Sequence, residues 1–492
     1  MAREFPLPPS ASCLSASMRD LGYSLESAVA DIIDNSISAK AGIIEIYCDL
    51  TRSEPTLAIL DDGAGMTADE LLAAMRHGSI NPREKRAPGD LGRFGLGLKT
   101  ASFSQCRRLT VATSKDGVRS AAEWNLDTID DADDWVISVL DDLEIQALPF
   151  ADRLSRDGTL VLWGGLDRLL EDETGARRDE IVNEKLDVVE KHLALVFHRY
   201  LAGEIKGRKR LSIKINGHPV DLFDPFCRKN PATQVLPEEI VHVAGSAVKM
   251  QPYILPHHSR LAGKDYDYYQ SRSEFISNQG AYIYRAGRLM AWGDWFRLIP
   301  KGESTKLARV QIDFPTDMDE AWTIDIKKSR ARPPHAVRER LRQIIARITN
   351  RSETVHRGRG RKLFEETQAP IWERYADQGR IRYALNMSHP LLEAATKELD
   401  QSQHEKLGLF LQSISSALPV EMIYSDYSTH PREMSQAQTA KEQVVEKLHA
   451  LKTLLSDTAS LQRDGFRDIV RSTRLFEEHM DIAEQFIEEE FS

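Results

Sequence analysis

The sequence predicts an α+β protein, with a sandwich of helices over a mixed sheet, a second α+β unit behind it and a helical region at the C-terminal end. Three observations predict it. Helical and strand patterns alternate in clusters over the first part of the chain, strand patterns resume after a long helix near residue 200, and the last hundred or so residues read mostly as helix.

The elements follow in order. Residues 1–20 are rich in Pro, Ser and Ala and read as an N-terminal arm ahead of the first ordered helix. LESAVADIIDNSISA then places Leu25, Val29, Ile32, Ile33 and Ile37 at helical spacing. Two β-like runs, IIEIYCDL and TLAILDD, flank the turn-like TRSEP, and a Gly-containing region of helix and loop extends to about Ser104. RRLTVATS, AAEWNL, WVISVL and GTLVLWGGL read as strands. After the helix NEKLDVVEKHLALVFHRYLAG, basic KGRKR leads into RLSIKINGHPV, expected as the first strand of the second unit, with further strands in VHVAGSAVKMQPYIL, GAYIYRAGRLM and KLARVQIDF. HAVRERLRQIIARI reads as a basic helix, and TVHRGRGRKLF is too rich in Gly and Arg to pack as a core helix. Near the end, Val444, Leu448, Leu451 and Leu455 repeat at 4-3-4 spacing, a stripe read as bundle core ahead of a dimerising seam because it lasts barely two heptads. From Phe476 onward there are acids and no Lys or Arg.

Composition narrows the function. The 492 residues carry 65 Lys and Arg against 75 Asp and Glu, a formal net charge of −10, so a uniformly basic nucleic-acid coat is excluded and any contact with DNA must come from a local patch. An apolar content of 41% excludes disorder over most of the chain. Cys13, Cys48, Cys106 and Cys227 stand far apart with no CxxC spacing, against a disulfide framework or a cysteine-rich zinc site. The N-terminus holds no apolar run that could act as a signal peptide, and no uncharged run approaches the roughly 20 residues that span a bilayer, so a cytoplasmic protein is expected.

Three pieces of the first domain carry chemistry. Asp31 and Asn35 lie one helical turn apart, with Asp34 beside them. An Asn carbonyl is a hard oxygen ligand suited to Mg²⁺, and a carboxylate one turn earlier can orient and deprotonate a water; alone, the pair reads first as a solvated helix face or cap. Asp61-Asp62-Gly63-Ala64-Gly65-Met66 follows the apolar strand LAIL, where alternate glycines admit a flat ligand and a carboxylate can accept from an exocyclic amine; alone, DG reads first as a turn. Gly92-Arg93-Phe94-Gly95-Leu96-Gly97-Leu98-Lys99 precedes an apparent helix, so its N–H groups and Lys99 can meet phosphates, although it matches neither the P-loop spacing nor the dinucleotide-binding fingerprint.

The order and spacing of these pieces, closed by Gly158-Thr159 at the start of an apolar strand, resemble the Bergerat nucleotide-binding fold. That fold defines the GHKL superfamily of gyrase, heat-shock chaperones, histidine kinases and MutL. GRFGLGLK and the DN-S-x-x-A helix resemble the MORC and MutL branch most closely, including its prokaryotic MORC-like members, over about residues 18–345. The resemblance implies an ATP-binding domain at 21–200, a transducer-like domain at 205–345 and a helical region at 346–492. It implies an Mg²⁺-dependent ATPase in which Asn35 coordinates Mg²⁺, Asp31 acts as general base in the place usually held by Glu, and Asp61 holds the adenine amino group with Thr159 nearby. Gly63, Gly65 and Met66 would line the base. About His77 to Lys99 would form the phosphate lid, with Gly92, Arg93, Phe94, Gly95, Leu96, Gly97 and Lys99 at the nucleotide. Asp31 is one methylene shorter than the usual Glu, Glu26 lies too far along the helix to substitute, and Ser38 replaces the family's Asp near the helix end. The second domain would supply Lys328, with Lys327 as its neighbour, to the terminal phosphate.

In dimerising members of the superfamily ATP closes two nucleotide domains together, so the first expectation is a homodimeric ATP-driven clamp acting on DNA. KGRKR and RGRGRK would be its electrostatic handles. Resemblance to members encoded beside restriction and modification genes implies a role in antiviral defence or DNA processing, with a separate nuclease as partner. The alternative is a chaperone-like ATPase that remodels a protein client, favoured by the acidic balance. A histidine kinase fits less well, since no helical phosphoacceptor segment is seen upstream. No nuclease motif is apparent, no catalytic-tyrosine domain of a topoisomerase is evident, and His257-His258 lacks nearby acidic or cysteine partners for a metal site.

Overall fold

Ile43–Asp49 (β1) alternates half-buried and buried residues, whereas Thr56–Asp61 (β2) is buried at every position, as befits a strand covered on both faces. They pair antiparallel, and β2 becomes the centre of an eight-stranded sheet. The other strands are Arg108–Lys115 (β3), Val118–Asn125 (β4), Ser138–Leu140 (β5), Gly158–Gly164 (β6), Ser212–Ile215 (β7) and His218–Pro219 (β8), in the order β5-β4-β3-β6-β2-β1-β7-β8. The computed structural model describes residues 9–51, 54–78, 91–92, 97–170, 175–256, 268–269, 278–302, 305–324, 328, 331–348, 370–377, 380–397, 399–429, 439–456 and 462–491.

The helices pack on this sheet. Ala11–Arg19 (α1), Leu25–Ser38 (α2), Ala68–Met75 (α3), Gly97–Phe103 (α4) and Leu126–Ala132 (α5) contribute to one large core, with the long helix Gly175–Val196 behind α2. Two expectations change here. The segment read as an arm contains α1, anchored where Ser12 N–H and the Ser10 and Ser12 hydroxyls all donate to Asp133 Oδ1. The strand in RLSIKINGHPV, expected to open the second unit, instead pairs parallel with β1, because Ile213 and Ile215 complete the apolar face of the first sheet.

The second sheet consists of Gln234–Val235 (β9), Glu239–Val243 (β10), Ser246–Ile254 (β11), Gly280–Arg285 (β12), Arg288–Asp294 (β13) and Ala308–Phe314 (β14), ordered β10-β11-β14-β12-β13 with β9 paired to β11. GAYIYRAGRLM is a hairpin within it: Arg285 pairs with Arg288, and Ala286 and Gly287 have φ of 48° and 86°. Positive φ at both turn residues matches a type I′ connection, whose twist suits two antiparallel strands. Thr323–Ile324 (β15) and Ala331–Arg332 (β16) form a small ribbon, and the helix over 335–348 buries Val337, Leu341, Ile344, Ile345 and Ile348 against the sheet. RGRGRK lies outside the described residues.

The chain divides into two units, residues 1–350 and 351–492. Among its described residues the second unit is helical except for a hairpin, Trp372–Asp377 with Arg380–Leu385, which the sequence reading did not anticipate. Its helix Val444–Leu454 turns the 4-3-4 stripe inward, so that Val444, Leu448, Leu451 and Leu455 pack with Phe466, Ile469, Phe476 and Phe486. The acidic end pairs within the same unit, Glu484 with Arg467 and Arg471, and Glu490 with Lys452.

Candidate nucleotide-binding site

The site begins with the end of β2. Asp61 is the last residue of that strand and pairs in register with Thr159 of β6. Its carboxylate is fixed from two sides: the Ser36 hydroxyl donates to Oδ2 at 2.6 Å, and Gly63 N–H donates to Oδ1 at 2.9 Å. Burial pushes the Asp61 pKa up, while the bonds from Ser36 and Gly63 hold the ionised form. The Thr159 backbone also donates to this carboxylate, so Asp61 is an acceptor fixed at the end of the sheet.

The glycines that follow are required by close backbone approach. Gly65 has φ of 63°, and a Cβ there would lie 1.9 Å from Ser114 O. A Cβ on Gly63 would lie 2.9 Å from both Ala39 Cβ and Asp61 Oδ1. Next to them, Thr113 Oγ1 donates to Gly158 O at 3.0 Å and accepts from Met66 N–H at 2.9 Å, which pins half-buried Met66 to β3. Half-buried Thr159 lies 3.4 Å away, Oγ1 to Oγ1. Asp61, Gly63, Gly65, Met66 and Thr159 therefore converge at one end of the sheet, together with Ser36 and Thr113, which sequence reasoning missed. A hydroxyl one position after Asn35 was the available signal for Ser36.

One turn along α2 the chemistry changes. Asn35 is exposed, so its side-chain oxygen is accessible to a hard cation, and these residues fit an Mg²⁺ ligand in that respect. Asp31 and Asp34 are buried, with relative exposures of 2% and 0%. Lys328 Nζ lies 2.6 Å from Asp34 Oδ2 and 3.1 Å from Asp31 Oδ1. Arg288 Nε reaches both oxygens of Asp34 at 3.1 Å, and its Nη2 lies 3.9 Å from Asp31 Oδ1. Tyr23 Oη donates to Asp31 Oδ2 at 3.0 Å. Burial pushes the Asp31 pKa above the ordinary carboxylate value; Lys328 opposes this, Asp34 adds to it and Arg288 opposes it again. Two carboxylates and two cations thus neutralise one another out of water, the condition under which buried charge is tolerated.

Lys328 does not sit on a strand. It occupies the connection between β15 and β16 with φ of 53°, a left-handed conformation uncommon for a non-glycine residue, and Lys327 lies outside the described residues. Asp34, and Arg288 and Tyr23, which were not singled out at all, complete the cluster. No local pattern signals Arg288, since it meets Asp34 across 254 positions of sequence.

The glycine loop is described only at its ends. Arg93, Phe94, Gly95 and Leu96 lie outside the described residues. Gly97 opens α4 facing the acid cluster, and a Cβ there would lie 3.7 Å from Asp31 Oδ2. Ahead of the loop, half-buried Gly92 follows Leu91, whose N–H donates to the Ser38 hydroxyl at 3.3 Å. Lys99 is buried, and its ammonium donates to Ala74 O and Arg76 O at 2.9 Å each, where it satisfies carbonyls at the end of α3. Burial lowers its pKa to about 8. His257-His258 lies outside the described residues, and no group of three or more His, Cys, Asp or Glu residues suited to a metal occurs among the described ones.

The family model described as histidine kinase-, DNA gyrase B-, and HSP90-like ATPase matches residues 23–158, a span that begins at Tyr23 and ends beside Thr159. Residues 23–158 are a GHKL-type ATPase domain. Over 96 residues this chain is also 35% identical to ATPase morc-1 of Caenorhabditis elegans. That stretch is 19% of this chain and 11% of the worm protein, so the chain spans only a small part of that relative. In the GHKL domain the helices over the eight-stranded sheet are the expected α/β sandwich, and Asp31, Asn35, Asp61 and the glycine loop all lie inside the matched span. Arg288 and Lys328 lie beyond it. No helix among the described residues is long and apolar enough to cross a membrane.

Proposed function

We propose that the protein binds ATP with Mg²⁺ and hydrolyses it to drive closure of a homodimeric clamp that acts on DNA. The observation that carries this reading is the ion pair between Asp31, on the nucleotide helix, and Lys328, in the connection between β15 and β16. A group placed to take a proton from an attacking water is thereby bound to the element that would transmit nucleotide state to the rest of the chain.

The residues divide the work. Asp61, held by Ser36 and Gly63, accepts from the adenine amino group, while Gly63, Gly65 and Met66 let the base approach and Thr159 stands beside the carboxylate. Asn35 would hold Mg²⁺, which when bound offsets the charge of the phosphates. Asp31 orients and deprotonates the water, Lys328 supplies positive charge at the terminal phosphate, and the lid from about His77 to Lys99 closes over the phosphates. Loop closure brings the two copies together, and product release parts them.

For DNA, the loop KGRKR contributes Lys206 and Lys209, both exposed, while Arg208 and Arg210 donate to the carbonyls of Ile37 and Leu201. A second reading, an ATPase that remodels a protein client in a chaperone-like cycle, is favoured by the apolar surface of the C-terminal unit. There Leu409, Phe410 and Met422 are 68%, 62% and 67% exposed. A role in defence, with a separate nuclease, belongs to the first reading.

The test is ATPase rate with and without duplex DNA over a salt series, alongside nucleotide-dependent mass of the wild type, Asp31→Ala and Asn35→Ala. The clamp reading expects DNA binding that weakens with salt and an ATP-dependent dimer. No DNA binding at low salt would favour the protein-client reading, and Asp31→Ala with full activity would remove Asp31 as the base.

A further inference from the structure

The four-ion cluster is asymmetric, and the asymmetry has a use. Lys328 is shared: its ammonium touches Asp34 at 2.6 Å and Asp31 at 3.1 Å. Arg288 belongs chiefly to Asp34, reaching both of its oxygens at 3.1 Å, and lies 3.9 Å from Asp31. Arg288 Nη1 also approaches Lys328 O at 3.5 Å and donates to Leu289 O at 2.9 Å. The guanidinium therefore holds the carboxylate on one side and the backbone of residue 328 on the other. Lys328 itself sits in a left-handed conformation, with φ of 53°, of the kind kept only where surrounding contacts over-determine it.

Removing Lys328 from such a cluster would ordinarily strand two buried carboxylates. Here Asp34 would keep Arg288, and Asp31 would keep the Tyr23 hydroxyl at 3.0 Å. We propose that Asp34 is a positioning residue that parks the Lys328 ammonium away from the nucleotide, and that Arg288 is the standby counter-ion that lets the ammonium leave. This rests on the reading of Lys328 as the group that meets the terminal phosphate. In the parked state Lys328 also screens Asp31, so one ammonium cannot serve the phosphate and shield the base together. A triphosphate competes with Asp34 for the lysine; a diphosphate, lacking the terminal group, has nothing to offer it. Parking therefore lowers apparent affinity for ATP and leaves ADP affinity alone, because only ATP needs the minority arrangement.

The two partners of Lys328 predict opposite signs. Asp34→Asn weakens parking, so the ATP-over-ADP affinity ratio should rise, on the order of 3- to 10-fold. Arg288→Gln leaves Asp34 with Lys328 as its sole cation, so the ratio should fall by a comparable factor. Asp34→Asn combined with Arg288→Gln removes both charges of that pair, avoids a stranded guanidinium and should show the raised ratio. In a Lys328→Met background Asp34→Asn should change nothing further. The measurement is calorimetric titration of the full chain with ATP and with ADP, where unchanged ADP affinity reports an intact site. The proposal is overturned if the Asp34 variants change both affinities in proportion, if the Arg288 variant moves the ratio in the same direction, or if the shift survives in Lys328→Met. Failure of the nucleotide-site reading looks different, since the wild type would then bind neither nucleotide and the proposal would fall with it.

Discussion

The Ser36 hydroxyl donates to Asp61 Oδ2 at 2.6 Å, which joins the nucleotide helix to the end of the central strand. Both side chains are buried, so the bond sets the direction in which the carboxylate points. Ser36→Ala should cost about 1 kcal/mol of stability, the usual net value of one hydrogen bond, and should weaken ATP and ADP to a similar extent. Titration of both nucleotides checks it; a variant that discriminated between them would place Ser36 at the phosphates instead.

Gly65→Ala tests whether the DxGxG turn is set by sterics. The added Cβ would meet Ser114 O at 1.9 Å in a backbone with φ of 63°. The chain must then move β3 or abandon the turn, and a loss of about 2–4 kcal/mol is expected by thermal or urea unfolding. A neutral effect would show that this segment rearranges at little cost.

Tyr23→Phe bears on Asp31 as the proposed base. The hydroxyl at 3.0 Å stabilises the ionised form of Asp31, so its loss should raise further a pKa that burial already lifts. A base works deprotonated, and the acid limb of the kcat profile should therefore move to higher pH with nucleotide affinity unchanged. An unmoved limb would show that another group governs it.

Lys99 predicts a pH dependence of stability. Its ordinary pKa is 10.5, and burial lowers it in the fold to about 8, so the folded protein gives up this proton more readily than the unfolded chain. Its contribution is fully present above about 10.5 and is lost as pH falls through about 8. Compared with Lys99→Met, the wild type should gain stability across that window, measured by urea unfolding at several pH values. A gap between the two that stays constant from pH 7 to 10.5 would contradict the burial of a charged ammonium.

Leu448→Ala should destabilise the C-terminal unit by about 2–5 kcal/mol, since Leu448 is fully buried within its core. Two unfolding transitions in the full chain, with the lower one shifted and ATP affinity retained, are the expected result. Loss of an ATP-dependent dimer without that shift would instead make the stripe an interface.

Much of the nucleotide domain was legible in the sequence because its signals are local. Asp31 and Asn35 share a turn of helix, Asp61, Gly63 and Gly65 share one strand end, and Gly65 carries the positive φ that its residue type allows. The strand pairs β1 with β2 and β12 with β13 follow from apolar runs joined by short turns. The exceptions are equally physical. Ile213 and Ile215 could have served either sheet, and only the vacant edge of β1 decided which. Lys99 reads as a phosphate ligand beside a glycine loop, yet in the fold its ammonium donates to the carbonyls that end α3.

By itself the sequence determined an α+β chain with a GHKL-type domain, the turn after its central strand and a bundle-forming stripe near its C-terminus. Only the tertiary structure decided where the charges around Asp31 come from. Asp34 meets Arg288 across 254 positions and Lys328 across 294. Periodicity fixes which face of a helix is buried, but a buried carboxylate accepts a cation from anywhere the chain can return to, so its partner is chosen by the packing of the second sheet against the long helix Gly175–Val196 behind α2.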